Sequence, residues 1–427
     1  MAQYSVNRSK HYNKNNRDIH EVTMIADQWG NIINEFGTSS SAQASGNFNA
    51  KLYAFGRQRF STPYTLFDSH NLLSKNNKFD ESITGGSVTY DSDLSEVQLN
   101  VTGTSGDEVI RQSYRNFSYQ PGKSLLILNT FVMNEPKENL RQRVGYFNTD
   151  NGIYVEQSGS DVYMVLRNNG SETRVAKDDW NVDKLDGTGL SDVTIDLTKS
   201  HIFWMDIEWL GVGSVRTGFV INGQFIIAHI FHNSNINNSI YMTTPNLPIR
   251  YEITNTGTTS GASKLGQICS TVLSEGGYEA RATEHVVGST SLAGVAVDTA
   301  FESVITIRMK RSGPIVVPAG ADVLNVANTD FEWAFFKNAT PSSSLTWASA
   351  TDNVEYSLTN VTFSNIGQRV GGGFMGGKTA PVSLGDGFDW GYQLGETISG
   401  TSDTFTLAAR AKSNSSNVAG ILKWYEL

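Results

Sequence analysis

The sequence has one cysteine, Cys269, among 427 residues. A single thiol excludes any disulfide within the chain, and it excludes the paired-cysteine motifs of zinc sites. We expect Cys269 to be a small buried apolar group, since that is the usual role of an unpaired cysteine.

Long apolar runs are also absent. No stretch approaches the ~20 apolar residues of a membrane helix. The opening MAQYSVNRSKHYNKNNRD lacks the apolar centre of a secretion signal. We therefore expect synthesis in a cytoplasm without membrane insertion. The chain would then either stay soluble or leave by assembly or lysis, rather than by export.

Charge is sparse, at 18% of residues, and the net charge is −9. Nucleic-acid binding needs basic patches that neutralise phosphates, so this balance argues against it. Mild acidity of this kind mainly favours solubility.

What the sequence does contain is a succession of short strand-like runs, such as EVQLNVTG, KSLLILNTFVM and GIYVEQS. Turn signals separate them at short intervals, among them GG at 85–86, DNG at 150–152 and NG at 222–223. Strands spaced in this way are typical of sandwiches and barrels. No long amphipathic helix interrupts them, so the predicted fold class is all-β.

Two small polar stretches, TSSSAQASGNFNA and NTGTTSGASKLG, have the composition of linkers. They divide the chain into five predicted segments. These are an N-terminal arm and β-hairpin at 1–37, a linker at 38–50, a β-sandwich at 51–256, a linker at 257–266 and a second β-sandwich at 267–427.

The first 18 residues are polar and basic. They are either a disordered tail or an arm that becomes ordered against a neighbouring subunit. An isolated hairpin is marginal in water, so the hairpin that follows should pack on another domain or chain. The residues predicted to dock this region are Tyr4, Arg8, Tyr12, Arg17 and Trp29.

An acid pair, Asp206 and Glu208, lies in the strand-like run WMDIEWLG. Two residues apart on a strand, both carboxylates lie on the same face. Such a pair is either the acid/base machinery of a glycosidase or a polar brace within a sandwich.

The run Trp204–Glu208 resembles the E-x-D-x-E strand of laminarinase-like glycosidases, which are jelly-roll sandwiches. In that family the first Glu is the nucleophile, but Trp204 stands at that position here, and an indole cannot form a glycosyl ester. We therefore expect a structural strand with two covered faces. One face would carry Trp204, Asp206 and Glu208, and the other Phe203, Met205, Ile207 and Trp209.

No other motif predicts chemistry. His229 and His232 are three apart near a strand and so should face opposite ways, which disfavours a shared metal. The Gly cluster at 370–378 lacks phosphate-loop spacing, and the acidic stretch at 177–191 does not match a calcium loop. The prediction is no catalytic residue, no cofactor and no metal.

Tryptophans near turns are candidates for stacking on flat sugar faces, whereas those within strands are expected in the core. The candidates for glycan contact are Trp180, Trp209 and Trp390. The expected core tryptophans are Trp204, Trp333, Trp347 and Trp424.

The order of elements over 120–255 resembles a module of virion structural proteins of tailed phages, especially large and marine ones. It runs through QRVGYFNTDNGIYVEQSG and IEWLGVGSVRTGFVINGQ to YMTTPNLPIRYEI. The half from 265, which opens ICSTVLSEGGYE and closes LKWYE, resembles the same proteins. The resemblance implies a concanavalin-like β-sandwich and a role as a particle component.

The expected function is thus a non-enzymatic virion subunit: a decoration, neck, tail or fibre protein. Its expected location is the virion, after synthesis in a host cytoplasm. Its expected partners are further copies of itself, as a trimer or ring, and other virion proteins, with a cell-surface glycan as an additional contact. The alternative is a lectin or glycoside hydrolase that uses the sandwich face around Asp206 and Glu208.

Overall fold

The computed structural model describes residues 62–427 except 280, 290–292, 328, 377–378 and 384–389. It also describes the backbone of three short antiparallel strands nearer the start: β1 (Asn7–Lys10), β2 (Glu21–Ala26) and β3 (Ile32–Ile33). β2 pairs with β3, with Ile25 opposite Ile33, as a hairpin within 21–37 requires.

The predicted docking residues fall almost entirely outside this description. Arg8 lies in β1, but its side chain is not among the described groups. The others lie outside the described residues: Tyr4, Tyr12, Arg17 and Trp29. Their docking role stays a prediction.

Strands form the regular structure of the described residues, apart from 3₁₀ turns at Lys177–Asp179 and Trp390–Tyr392. The prediction of an all-β fold is confirmed. The residues at one turn explain how two of these strands form a hairpin. Asn222 and Gly223 have φ values of 53° and 76°, as a tight type I′ hairpin turn requires. Within the described part of the chain, no helix is long and apolar enough to cross a membrane.

The first sandwich consists of two antiparallel sheets packed face to face. The seven-stranded sheet contains, in spatial order, β13 (Ser171–Ala176), β12 (Asp161–Asn168), β11 (Gly152–Ser158), β10 (Leu140–Phe147), β17 (Ile249–Asn255), β8 (Glu108–Ser113) and β5 (Phe79–Thr84). The eight-stranded sheet contains β16 (Gln224–Phe231), β15 (Val215–Ile221), β14 (His201–Ile207), β9 (Ser124–Val132), β18 (Ser263–Glu275), β7 (Glu96–Val101) and β6 (Gly86–Asp91), with β4 (Tyr64–His70) paired to β18.

The core between these sheets follows from strand alternation. Phe203 and Met205 of β14 are fully buried, and they belong to the same apolar cluster as Val144 and Ile153 of the opposite sheet. Each such side chain contributes about 1.5–3 kcal/mol by leaving water. With a single cysteine, the first sandwich has no disulfide bonds, so its stability depends on this apolar core.

The predicted linker at 257–266 does not separate the two sandwiches. Ser263 begins β18, a strand of 13 residues that pairs with β7, β9 and β4. The first sandwich therefore extends to Glu275, because its central strand follows the polar stretch. The small residues at Ser263 and Gly266 fit beside β7, where Gly266 approaches the Glu96 side chain.

The second sandwich also has two antiparallel sheets. The five-stranded sheet contains β19 (Thr283–Gly288), β31 (Ser416–Glu426), β22 (Val316–Asn325) and β29 (Thr379–Ser383), with β20 (Val295–Val297) paired to β31. The six-stranded sheet contains β25 (Ala348–Ser349), β26 (Val354–Ser357), β21 (Glu302–Met309), β30 (Thr404–Ala411), β23 (Phe331–Lys337) and β28 (Gln368–Met375). A separate ribbon pairs β24 (Thr340–Pro341) with β27 (Phe363–Asn365). The core includes Phe335, Leu407 and Trp424.

Buried polar contacts join the two sandwiches. Asn116 of the first donates from Nδ2 to Oε1 of Glu396 in the second, at 2.8 Å, and Gln393 Nε2 donates to the Asn116 carbonyl at 2.8 Å. The backbone N–H of Glu396 donates to the Tyr114 carbonyl at 2.8 Å. Because Asn116, Gln393 and Glu396 are all buried, these bonds fix the junction.

The junction predicts the effect of Asn116→Ala. This change removes a donor to a buried carboxylate, which costs about 1–3 kcal/mol. We expect the free energy of unfolding to fall by about that amount in urea denaturation. We also expect small-angle X-ray scattering to report a wider range of angles between the sandwiches. Thr188→Ala removes an exposed side-chain hydrogen bond to Asp186 and should change neither quantity; equal effects of the two variants would contradict this role for Asn116.

Candidate functional site

The strand that carries the acid pair, β14, lies between β9 and β15. Phe203, Met205 and Ile207 belong to the sandwich core. Trp204 belongs to a different apolar cluster on the outer face, and alternation places Asp206 on that outer face too. The predicted division of side chains between the two faces is confirmed for residues 203–207; Glu208 and Trp209 lie beyond the end of the strand.

Asp206 is fully buried and lies opposite Arg216 of β15. The Arg216 guanidinium donates from Nη2 to Oδ2 of Asp206, which makes a buried ion pair. A carboxylate without accessible surface requires such a partner. Asp206 is therefore committed to joining two neighbouring strands.

Glu208 lies one residue beyond the end of β14 and is half-buried. Its N–H donates to the Ser214 carbonyl at 3.2 Å, and its carbonyl accepts from the Tyr241 hydroxyl at 3.0 Å. The turn requires Gly213, since a Cβ there would lie 2.2 Å from the Glu208 carbonyl oxygen. Glycoside hydrolysis needs two carboxyl groups that flank an accessible bond, and Asp206 has no accessible surface.

Trp204 anchors an apolar cluster on the outer face of the eight-stranded sheet. Its indole is 1% exposed and meets the Phe225 ring edge to face, with centroids 5.4 Å apart. Leu126 and Ile227 are buried beside it. Both faces of β14 are thus covered, and the strand serves packing on each side.

The buried ion pair predicts the effect of Asp206→Ala. The change leaves the Arg216 guanidinium buried without its carboxylate, which costs about 3–5 kcal/mol. We expect urea denaturation to show a loss of that order. The double variant Asp206→Ala/Arg216→Met should recover much of it, because the second change removes the buried charge. Glu208→Gln, at a half-buried turn, should change stability by less than about 0.5 kcal/mol; a loss equal to that of Asp206→Ala would refute the distinction between the two acids.

The structure corrects one of the predicted sugar-stacking tryptophans. Trp180 is 3% exposed and donates from Nε1 to the Val175 carbonyl at 3.2 Å, so its ring faces are not available to a ligand. Trp209 is half-buried against the core, donates to the Met242 carbonyl at 2.9 Å and packs edge to face with Tyr119. Trp180 is therefore a packing residue, whereas a sugar-stacking role for the half-buried Trp209 stays a prediction. The side chain of Trp390 is not among the described groups.

The acidic loop after β13 is organised by its own acids. Asp183 is buried and accepts the N–H groups of Leu185 and Ser191 at 2.9 and 2.8 Å. Asp186 accepts the Thr188 N–H at 2.8 Å. Hydrogen bonds to backbone donors are thus the role of these carboxylates. In the described part of the chain, no three His, Cys, Asp or Glu side chains converge as metal ligands would.

Cys269 lies in β18 and is half-buried rather than fully buried. Desolvation raises the pKa of its thiol. The thiolate is the nucleophilic form, so this environment disfavours reactivity, in keeping with a packing role.

A cluster of charges that the sequence reasoning missed lies on the outer face of the seven-stranded sheet; we call it the arginine face. Its centre is Arg143, whose guanidinium donates to Glu156 at 2.6 Å, Glu172 at 3.3 Å and Glu252 at 3.4 Å. The full set is Arg141, Arg143, Arg167, Arg174, Arg250, Glu156, Glu172 and Glu252.

Most of the arginine face is buried, although it lies outside the core. Glu156 is 0% exposed, Glu252 is 3% exposed and Arg143 is 7% exposed. Aromatic rings stack against the guanidinium groups, with Arg143 and Arg167 lying 5.2 and 5.1 Å from the Tyr154 ring centre. Such stacking stabilises a desolvated cation by roughly 2 kcal/mol.

The electrostatics of the arginine face suppress proton transfer. Burial alone would raise the pKa of Glu252, but Arg250, Arg143 and Arg141 lower it below its ordinary value. Burial raises the pKa of Tyr154 strongly, and its hydroxyl donates to Glu172 at 2.8 Å. A general acid needs a carboxyl whose pKa is raised toward neutrality, and Glu252 shows the opposite shift.

The signal for this cluster was present in the sequence. Charged residues alternate at Arg141 and Arg143 in β10 and at Arg250 and Glu252 in β17, and these strands are neighbours. Alternating charge on a strand predicts a solvent-facing side. Here the opposite signs on adjacent strands meet, so the charges pair and become buried.

The arginine face predicts how stability depends on pH. Folding lowers the pKa of Glu252. Its contribution to the free energy of unfolding is therefore complete above the pKa of the unfolded state, about 4.3. That contribution is lost as the pH falls through the lower pKa of the folded state. We expect the urea midpoint to fall steeply below about pH 4. Glu252→Gln should be less stable at pH 7 and should lose less on acidification, whereas Glu138→Gln, at an exposed position, should follow the wild type. An unchanged acid profile in Glu252→Gln would contradict this assignment.

No family model and no curated protein matches the sequence. Among solved structures, the carbohydrate recognition domain of Emp47p is 7% identical, with a TM-score of 0.32, over 50% of this chain and 96% of its own. A β-1,3-glucanase from Mycobacterium marinum is 10% identical, with a TM-score of 0.34, over 50% of this chain and 100% of its own. The CBM2 module of an evolved Dit protein of Lactobacillus casei BL23 phage J-1 is 7% identical, with a TM-score of 0.35, over 51% and 98%. All three TM-scores are below 0.5, so these similarities carry no argument about the ligand or activity of this chain.

Proposed function

We propose that this chain is a non-enzymatic structural subunit of a tailed-phage virion, a decoration, neck, tail or fibre protein. It docks through residues 1–37 and assembles with copies of itself as a trimer or ring. The resemblance over 120–255 and from 265 motivates the virion role. The buried Asp206–Arg216 pair supports the absence of catalysis, because it removes an acid of the would-be catalytic strand from solvent.

A structural role also fits the way the chain is built. The sandwiches are joined by buried hydrogen bonds at Asn116 and Glu396, as suits a part that holds a fixed shape. The edge strand β16 is capped by a side chain, since the Asn181 amide both donates to and accepts from the Ile230 backbone at 2.9 Å. Capping of a sheet edge discourages uncontrolled strand pairing.

The alternative function, sugar recognition, was predicted for the face around Asp206 and Glu208, but its support comes from the second sandwich. The face around Asp206 is covered by the Trp204 cluster, and Trp180 is buried. The lining of a recess on the second sandwich, which includes Trp347, Thr404 and Arg308, supports sugar contact there instead. We therefore propose glycan contact as an accessory property of the same subunit, without hydrolysis.

The docking role predicts the outcome of deleting residues 1–37 from the coding sequence in the phage genome. Purified particles should lose the protein, as measured by mass spectrometry of the virions, while the protein itself stays folded by circular dichroism. The paired reversal Arg8→Glu/Arg17→Glu should reduce incorporation several-fold, because it inverts the basic charge of the arm.

The matched control is Lys199→Glu, a charge reversal at a side chain that is 75% exposed and far along the chain from the arm. It should leave incorporation at the wild-type level. Absence of the unaltered protein from purified particles would overturn the virion role. Normal incorporation after deletion of 1–37 would overturn the docking role alone.

A further inference from the structure

The outer face of the six-stranded sheet in the second sandwich carries a recess of about 200 Å³. The ribbon of β24 and β27 covers part of this face. The Phe363 ring meets Phe336 of the sheet with centroids 5.8 Å apart, and the backbone N–H of Ser303 donates to the Val361 carbonyl at 2.9 Å. The recess lies between this covering segment and the sheet.

Threonines of two adjacent strands form the floor. Thr306 of β21 lies opposite Thr406 of β30, and their hydroxyls are 2.9 Å apart. Thr404, two residues before Thr406 on the same face, lines the recess as well and is half-buried. Hydroxyl groups donate and accept hydrogen bonds, and they rotate to suit the partner. Thr306 and Thr406 are nearly fully buried and bond each other, so Thr404 supplies the hydroxyl that a hydroxyl-bearing ligand would reach.

Aromatic and apolar surface forms the walls. The Trp347 indole lines the recess and is half-buried, which corrects its predicted place in the core. The Arg308 guanidinium stacks against the indole, 4.0 Å from the ring centre. Phe363 supplies a second ring. Rings that are partly exposed offer the flat surface on which an apolar ligand face packs.

The polar end of the recess is electrically balanced. Arg308 lies opposite Glu355 of β26 and donates from Nε at 2.6 Å. Its side chain is 39% exposed and that of Glu355 is 21% exposed. A guanidinium has five N–H donors, so a ligand can reach the others from solvent. Because the carboxylate balances the guanidinium, the pair offers donors and acceptors together without net attraction for an anion.

We infer that this recess binds one pyranose ring of a neutral saccharide. A pyranose has an apolar C–H face, which would lie against Trp347 and Phe363, and a rim of hydroxyls, which would meet Thr404 and Arg308. Glu355 pairs with Arg308 but does not itself line the recess. The volume is smaller than the ~300–1,000 Å³ typical of pockets for larger ligands, so a single ring is the matching size. This inference deepens the glycan contact within the proposed function, but it does not depend on where in a particle the protein lies.

The test uses the full chain and named probes: the methyl pyranosides of glucose, galactose and mannose, N-acetylglucosamine, and methyl glucuronide as the acidic comparison. Saturation-transfer NMR detects binding, and titration gives the dissociation constant. We expect at least one neutral probe to bind with a constant of about 1 mM, the weak range for so small a ligand. Binding of no neutral probe, or of methyl glucuronide alone, overturns the inference.

Variants locate the binding. Trp347→Ala should weaken it at least ~10-fold because the stacking surface is lost, and the isosteric Thr404→Val should weaken it several-fold through the lost hydroxyl. Phe374→Ala is the matched control, since that ring is 84% exposed on the same sheet outside the recess. Circular dichroism checks folding. Binding that survives both Trp347→Ala and Thr404→Val unchanged would show a different site. The binding assay uses the purified protein and no phage particles. A negative binding result would therefore not bear on the virion role, which the incorporation experiment tests.

Discussion

Buried charge on the outer faces of the sheets is the constraint on which the first sandwich depends. A sheet at the surface of a sandwich usually keeps one side in water. Here Asp206, Glu156 and Glu252 are at most 3% exposed, although none belongs to the apolar core. Each needs a cationic partner because an unpaired charge at such a depth is not tolerated. Arginine on a neighbouring strand supplies it in every case: Arg216 for Asp206, and Arg143 for Glu156 and Glu252.

The same pairing accounts for the chemistry that the first sandwich does not offer. Arginine lowers the pKa of Glu252 and so keeps that carboxyl ionised, whereas a general acid must hold a proton near neutral pH. Asp206 is enclosed with Arg216. The interactions that stabilise the sheets therefore also keep Asp206 away from solvent and Glu252 ionised.

Sequence periodicity was enough to predict the all-β fold and the two faces of β14, because alternation is a local property of a strand. It was not enough to place the end of the first sandwich. The stretch before β18 is small and polar like a linker, and Ser263 joins the sheet only through pairing with Val101, a partner 162 residues earlier. The arginine face was missed for the same reason, since the pairing of Arg143 with Glu252 depends on which strands become neighbours. Trp180, near a turn, was misplaced because its burial likewise depends on long-range packing.

Both sandwiches contain an arginine–glutamate ion pair between neighbouring strands, but one pair is buried and the other is exposed. The depth of burial determines how much each pair contributes to stability. Arg143 with Glu156 and Arg308 with Glu355 are both cross-strand pairs with an Nε–Oε distance of 2.6 Å. The first pair is 9% and 0% exposed, and the second is 39% and 21% exposed. An exposed pair contributes at most about 1 kcal/mol to stability, whereas the buried pair joins two strands of the first sandwich. The Arg308–Glu355 pair is open to solvent beside Trp347, where the proposed saccharide would find N–H donors next to an aromatic ring.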